Sequence, residues 1–417
     1  MLKSRILFFF NSKQIFFTLN ICLLLVSIVF IFIKNQNLEI SGDEFKFYKD
    51  LIYANENGLI SLINKGTSIT FSTSSYLIDQ LINYPKLSIK LTSLFSFLIL
   101  LTIWVYILNF KIFKLNKLFN FFLFSILVYA SSLQNVLFSG INDLLLDIFG
   151  LLMFIILLKE NNKMNADLLS LSVLFALCLA TRKMSITYLA VLIPILFIFS
   201  KKGKVFVFRL ITLSIIFLAL FNLTSLFNSG KFSFDDKPLH GNINWAQWDY
   251  HNAMLIDANK QTRFQHTKIS STEEYIALNG PTSLPSTFSE MIFFDIRLTI
   301  KEFFIDLYYT AIYFFREFGI ISFLFLFFFI ISCKEFKKKS KLKNNKHLIY
   351  IFCGAYLIFI NFIVITNIQM RWFMFFIPVL LSVTIKDFKD YKYSKMLLSL
   401  NNIILLAMQV RTLINLI

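Results

Sequence analysis

Cysteine and histidine are scarce, at four residues each in a chain of 417. Cys22, Cys178, Cys333 and Cys353 all fall inside or at the ends of apolar runs, so no structural disulfide is expected in a polar loop. No Cys/His spacing resembles a zinc site, and the histidines carry no motif. Glycine (11) and proline (6) are low while Lys, Asn, Ile and Phe are high, which reads as compositional bias of the genome and not as function. No internal repeat is visible. No basic stretch is interleaved with stacking aromatics as a nucleic-acid groove requires. The net charge of +17 therefore does not imply a nucleic-acid partner.

What is abundant is apolar surface. Hydrophobic residues make up 57% of the chain, with 53 Phe, more than a soluble domain needs. Apolar runs recur at about 17–25 residues, the length that spans a bilayer core. Such runs must be helical, because lipid offers no partner for free backbone groups. The fold class is an all-α polytopic membrane protein. Lys3, Arg5 and Lys13 precede the first run, and no small-x-small cleavage site follows it, so it reads as a retained helix and not as a signal peptide.

Eleven transmembrane helices are expected, at about 15–33, 88–108, 118–133, 144–158, 167–180, 185–199, 205–222, 304–332, 348–366, 372–385 and 396–416. Residues 1–417 read as a single transmembrane domain with the N-terminus in the cytoplasm. Lys and Arg gather in alternate short loops, as the positive-inside rule requires. The basic loop 333–347 holds seven Lys in fifteen residues and is the strongest cytoplasmic marker. It reads as a solvated loop before it reads as a site for anionic lipid. Two large extracytoplasmic loops are expected, at 34–87 and 223–303. The first contains a weakly amphipathic stretch, LIYANENGLISLINKG, expected along the membrane surface. The second is polar enough to fold in water, as short helices and loops on the bundle mouth; without disulfides its own core would be marginal.

The short outside turns hold only Arg182, Lys183 and Arg371, which break the positive-inside preference on the same side as the carboxylates Asp43, Glu44 and Asp143. Charges beside the bilayer against the topological preference carry a functional hypothesis. Cations at headgroup height suit a phosphate. Carboxylates beside them suit proton abstraction from a hydroxyl, or a divalent metal. Sugar transfer from a lipid-linked phosphate needs this combination. Bland alternatives stand beside it. Asp43 and Glu44 also suit a helix start, Asp143 suits a helix N-cap, and Arg182 and Lys183 also suit snorkelling to lipid phosphates. Trp245, Trp248 and His251 form a polar-aromatic cluster that could stack on a sugar ring, or belong to an interfacial aromatic belt.

The order and sidedness of these motifs resemble the GT-C superfamily of polyprenyl-phosphate-sugar-dependent glycosyltransferases, which includes protein O-mannosyltransferases and aminoarabinose transferases. The matching residues are Gly42-Asp43-Glu44 after helix 1, Asn142-Asp143 after helix 3, Thr181-Arg182-Lys183 after helix 5, and Arg371-Trp372 with Pro378 before a late helix. The resemblance covers residues 1–385. It implies an inverting transferase acting on the extracytoplasmic face, with a polyprenyl-phosphate sugar as donor and a lipid, glycan or protein as acceptor. Asp43 would be the general base. Glu44 would orient it, position the acceptor or bind metal. Asp143 would be a supporting or metal carboxylate, and Arg182, Lys183 and Arg371 would hold the phosphate. Some family members need a divalent metal and others show none, so metal use stays open; Mg or Mn, where bound, would take Glu44 and Asp143. Family members carry a His-Pro-Pro-like stretch near the end of the first loop; here STSSYLIDQLINYPKLS has no His. A bacterial inner membrane is the expected location.

Two other classes compete. A polysaccharide polymerase or O-antigen ligase would use Arg263, Arg297 and His240 or His251 of the second loop. A transporter or flippase would want charges at mid-bilayer and an internal repeat, and neither is seen.

Overall fold

A computed structural model describes residues 12–35, 40, 42–134, 136–159, 164–199, 204–235, 241–263, 265–338, 345–363 and 368–415. Helices follow one another along the chain, and no strand occurs among the described residues. The chain divides into two compact units, where the sequence suggests one domain over 1–417. The first comprises Met1–Asp235, Phe314–Cys353 and Arg371–Ile417; the second comprises Asp236–Tyr313 and Gly354–Met370.

The first unit opens with α1 (Lys13–Lys34), close to expectation. The first loop is three helices, α2 (Glu44–Asn57), α3 (Leu59–Lys65) and α4 (Ile69–Ile82). They pack Phe47, Leu51 and Phe71 against Ile89 of α5 (Pro85–Thr102) and Ile141. Next come α6 (Lys117–Gln134), α7 (Asp143–Leu158), α8 (Met164–Thr181), α9 (Ser185–Phe199), α10 (Lys204–Phe221) and α11 (Leu223–Ser229). After the second unit's α12 (Trp245–Asp257), α13 (Ile269–Asn279) and α14 (Phe288–Phe294) come α15 (Ile296–Phe318), α16 (Ile321–Lys338), α17 (Asn345–Ile363), α18 (Ile377–Phe388) and α19 (Ser394–Ile414).

Among the described residues six helices are long and apolar enough to cross a membrane, or seven if the bent pair α15–α16 is one span. The segments Ala166–Thr181 and Ser185–Ile198 are apolar but shorter. At 1.5 Å per residue the 12-residue α18 reaches only about 18 Å, against about 30 Å of bilayer core. Two expected spans are thus redrawn. The run at 304–332 is two helices bent by 120°. They part at Gly319, whose φ of +59° is left-handed and whose missing Cβ leaves room for the Asn401 side chain. The span expected at 372–385 is a 3₁₀ turn, Met370–Phe373, followed by α18, with Pro378 in its first turn where no amide donor is lost. The basic loop 333–347 lies partly outside the described residues, and no disulfide occurs among the described residues.

The 3₁₀ turn is held from three sides. The Tyr188 hydroxyl of α9 donates to the Trp372 carbonyl at 2.7 Å, and its ring stacks on Phe375 at 4.3 Å. The end of α5 continues as a π-helix, Ile103–Ile112, which turns the Trp104 indole to donate to the Pro378 carbonyl (2.8 Å) and Ser382 Oγ (2.7 Å). Gly150 of α7 lies under Phe375, where an added Cβ would stand 2.5 Å from the ring and 2.9 Å from the Phe375 carbonyl. Gly150→Ala is therefore expected to cost about 1–3 kcal/mol by overpacking and to displace the turn that carries Arg371. A lowered thermal midpoint in detergent checks this.

The second unit has its own small core of Ala246, Tyr250, Ala253, Leu284, Met291 and Leu298. A reciprocal cap starts α12, with Asn244 and Gln247 bonding each other's backbone.

Candidate active site

The residues of the site come from four distant segments, each ending or starting a helix of the first unit. Asp43 sits at the start of α2, Asp143 opens α7, Arg182 follows α8 and Arg371 lies in the 3₁₀ turn. Arg182 Nη1 pairs with Asp143 Oδ1. Arg371 bridges both carboxylates, with Nη2 2.7 Å from Asp43 Oδ2 and Nη1 3.4 Å from Asp143 Oδ2. Asp143 is thus gripped by two guanidiniums at a helix N-terminus, where the backbone dipole also favours a negative charge. Side-chain exposure rises from 4% at Asp143 and 10% at Arg182 to 19% at Arg371 and 30% at Asp43. The reachable carboxylate is therefore Asp43 and the reachable guanidinium is Arg371. Lys183 beside them is exposed. Burial, then the neighbouring Arg371, pull the Arg182 guanidinium below its ordinary value; it stays a cation throughout the accessible range.

Glu44 is paired with Lys90. It is buried, and its Oε1 takes Lys90 Nζ at 3.0 Å, while Lys90 also donates to the Phe138 carbonyl. Glu44 holds α2 to α5 and so sets the place of its neighbour Asp43.

Several site residues were not foreseen. Asn142 donates to the Thr181 carbonyl at 2.6 Å and to Asp235 Oδ2 at 3.1 Å, tying the start of α7 to the end of α8. Asp235 also accepts from Lys46 at 2.8 Å. The strand of loop before it is pinned by Ser233, whose amide donates to Asn222 and whose hydroxyl exchanges bonds with Thr67. Thr67 in turn donates to Asp50, whose carboxyl burial raises against the opposing pull of Lys46 and that hydroxyl. Lys90 was legible, as a cation inside an apolar run. So was Asp147, buried one turn below Asp143 with its Oδ2 lacking a hydrogen-bond partner. Nothing local marks Asp235.

The metal reading fares poorly on donor chemistry. Asp143 is already neutralised by two guanidiniums and Glu44 by an ammonium. Among the described residues no group of three His, Cys, Asp or Glu stands together. The residues do not fit a divalent ion at Glu44 and Asp143.

The candidates of the second loop lie in the second unit and are engaged there. His251 is buried with Nδ1 2.9 Å from Thr272 Oγ1, and burial lowers its pKa. Trp248 donates its indole N–H to the Thr267 carbonyl and stacks on His266, with the half-exposed Trp245 against its edge. Arg263 pairs with both Glu302 and Asp306, which are buried. Removing it leaves two uncompensated carboxylates, so Arg263→Met is expected to cost about 3–5 kcal/mol, read as a loss of thermal midpoint. Arg297 is exposed, and His240 lies outside the described residues. The guanidinium a polymerase or ligase would need at Arg263 is spent on structure, and His251 is engaged through Nδ1. The chain matches no family model, no curated protein and no solved structure.

Proposed function

We propose that the chain is a membrane glycosyltransferase that moves a sugar from a polyprenyl phosphate to a hydroxyl acceptor. The observation that carries this reading is Arg371, a partly exposed guanidinium shared between the accessible Asp43 and the buried Asp143. Asp43 takes the proton of the acceptor hydroxyl. The freed oxygen attacks the anomeric carbon, the bond from that carbon to the phosphate oxygen breaks with inversion, and the polyprenyl phosphate leaves with the electron pair. Arg371 and Lys183 stabilise the departing charge, while Arg182 keeps Asp143 in place. A phosphate arriving at Arg371 competes with Asp43 for the guanidinium and so releases the carboxylate to act as base. The resemblance to GT-C transferases supports the same assignment.

In this reading α16 also crosses the membrane, as do α7, α8, α9 and α18 inside the bundle, giving eleven spans. The N-terminus is cytoplasmic and the site faces the exterior of a bacterial inner membrane. The acceptor is a lipid, glycan or protein.

The test is a structure of the purified chain with undecaprenyl phosphate. Phosphate density within hydrogen-bonding distance of Arg371 or Lys183, and within about 8 Å of Asp43, the span of one sugar between base and leaving group, is the expected result. Phosphate bound elsewhere sinks the proposal.

A further inference from the structure

The helix α15 is built with its polarity reversed. Glu302, Asp306 and Thr310, spaced by four, are all buried. Within the second unit one oxygen of each carboxylate pairs with Arg263, while Glu302 Oε1 and Asp306 Oδ2 lack a hydrogen-bond partner, and Thr310 bonds the Asn361 side chain at 3.0 Å. Ile296, Ile300, Phe304, Tyr308 and Ile312, also spaced by four, are all exposed. At 100° per residue Glu302 and Asp306 each lie about 160° round the helix from Phe304, so the two stripes are on opposite faces. Phe304 is 63% exposed and Glu302 1%. Phe293 and Phe294, just before the helix, extend the exposed apolar face. A face of this kind is what a protein turns to lipid and not to water.

The level of the helix in the membrane also follows. Within the second unit, Phe303 packs on Phe362 at 5.2 Å and Thr310 bonds Asn361. Both partners are in the last turn of the candidate span Lys346–Ile363, so the middle of α15 stands at the height where that span leaves the lipid. A crossing by α15 is excluded by where the chain leaves and rejoins the first unit. It leaves at Asp235, bonded to Lys46 and Asn142 of the site. It returns at Arg316-Glu317, where the Arg316 carbonyl accepts from the Tyr129 hydroxyl and Glu317 bonds Gln134. Tyr129 and Gln134 lie in the last turns of α6, the helix that leads into Asp143. Both connections are therefore at one end of the bundle. Arg297 and Arg316, both exposed, flank the apolar stripe about 28 Å apart along the axis, placed for anionic headgroups.

We propose that α15 lies in the plane of the membrane, with Ile300, Phe304 and Tyr308 inserted among the acyl chains. The second unit is thereby a membrane-docked platform. This inference does not depend on the sugar-transfer reading.

Site-specific nitroxides test it. A keto amino acid at 300, 304 or 308, labelled through its ketone, leaves the native cysteines untouched. The full chain is placed in nanodiscs of phosphatidylcholine and phosphatidylglycerol, and collisions with oxygen and with a water-soluble nickel chelate are measured. The expected result is high oxygen and low nickel accessibility, at a depth of about 5–10 Å below the headgroups. Three results would each overturn the proposal: high nickel accessibility, which means water; low accessibility to both, which means a covering protein surface such as a second copy; and a depth at the bilayer centre, which means a crossing helix.

Discussion

Arg182→Met is expected to lower the stability of the first unit by about 3–5 kcal/mol, the cost of removing one partner from a buried pair. The reason is specific to Asp143. Its side chain is 4% exposed and its second guanidinium, Arg371, stands at 3.4 Å and is shared with Asp43. Without Arg182 the Asp143 charge keeps only that longer contact. Asp143→Asn should cost less than Arg182→Met, because Arg371 retains Asp43 and the amide still accepts a hydrogen bond. The double variant Asp143→Asn/Arg182→Met should recover part of the loss, giving a coupling energy of about 0.5–3 kcal/mol. Arg182→Lys should not restore stability, since an ammonium lacks the planar fork. Thermal unfolding of the four proteins in one detergent reads all of this. Additive single losses would mean that the pair is incidental and that Arg182 acts by filling space.

The ion-pair cluster shows which parts of the protein could be foreseen from sequence. The apolar runs were legible because bilayer thickness sets helix length, and α1, α6 and α19 fall within two or three residues of expectation. The gathering of Asp43, Asp143, Arg182 and Arg371 was legible from sidedness alone, since alternating helices bring every second turn to one face. Pairings were not, because they depend on distances that no local pattern encodes. Glu44 and Asp43 are neighbours in sequence, yet a helix start turns them apart, one to Lys90 and the other to Arg371. Asp235 reaches the site through a loop whose course is set by Thr67 and Asn222. The break at Gly319 was hidden by the continuous apolar run on its far side; the residue that occupies the space of a Cβ there, Asn401, is far away in the chain. The reversal of α15 was readable in principle, as Glu302, Asp306 and Thr310 opposite Ile300, Phe304 and Tyr308. A search for spans sees only the mean apolarity of that stretch and misses the pattern.

Asp43→Asn is expected to leave the fold intact and to slow sugar transfer by about 10²–10⁴-fold, the usual contribution of a general base. The amide preserves size and still accepts a hydrogen bond from Arg371, and Asp43 is the most exposed member of the cluster, so the thermal midpoint should hardly move. What is lost is the capacity to take a proton. Binding of undecaprenyl phosphate should be retained or tightened, because Arg371 no longer shares its charge with a carboxylate. Arg371→Lys should do the opposite and weaken that binding, since a single ammonium cannot grip Asp143 and a phosphate together. The measurement is release of undecaprenyl phosphate from a panel of its glycosylated forms by the chain in proteoliposomes, with binding followed separately. A structural role for Asp43 predicts a falling midpoint with the rate per folded molecule unchanged. A base predicts the reverse, and full activity of Asp43→Asn would remove Asp43 from the chemistry while leaving the phosphate site at Arg371 to be judged by its own binding.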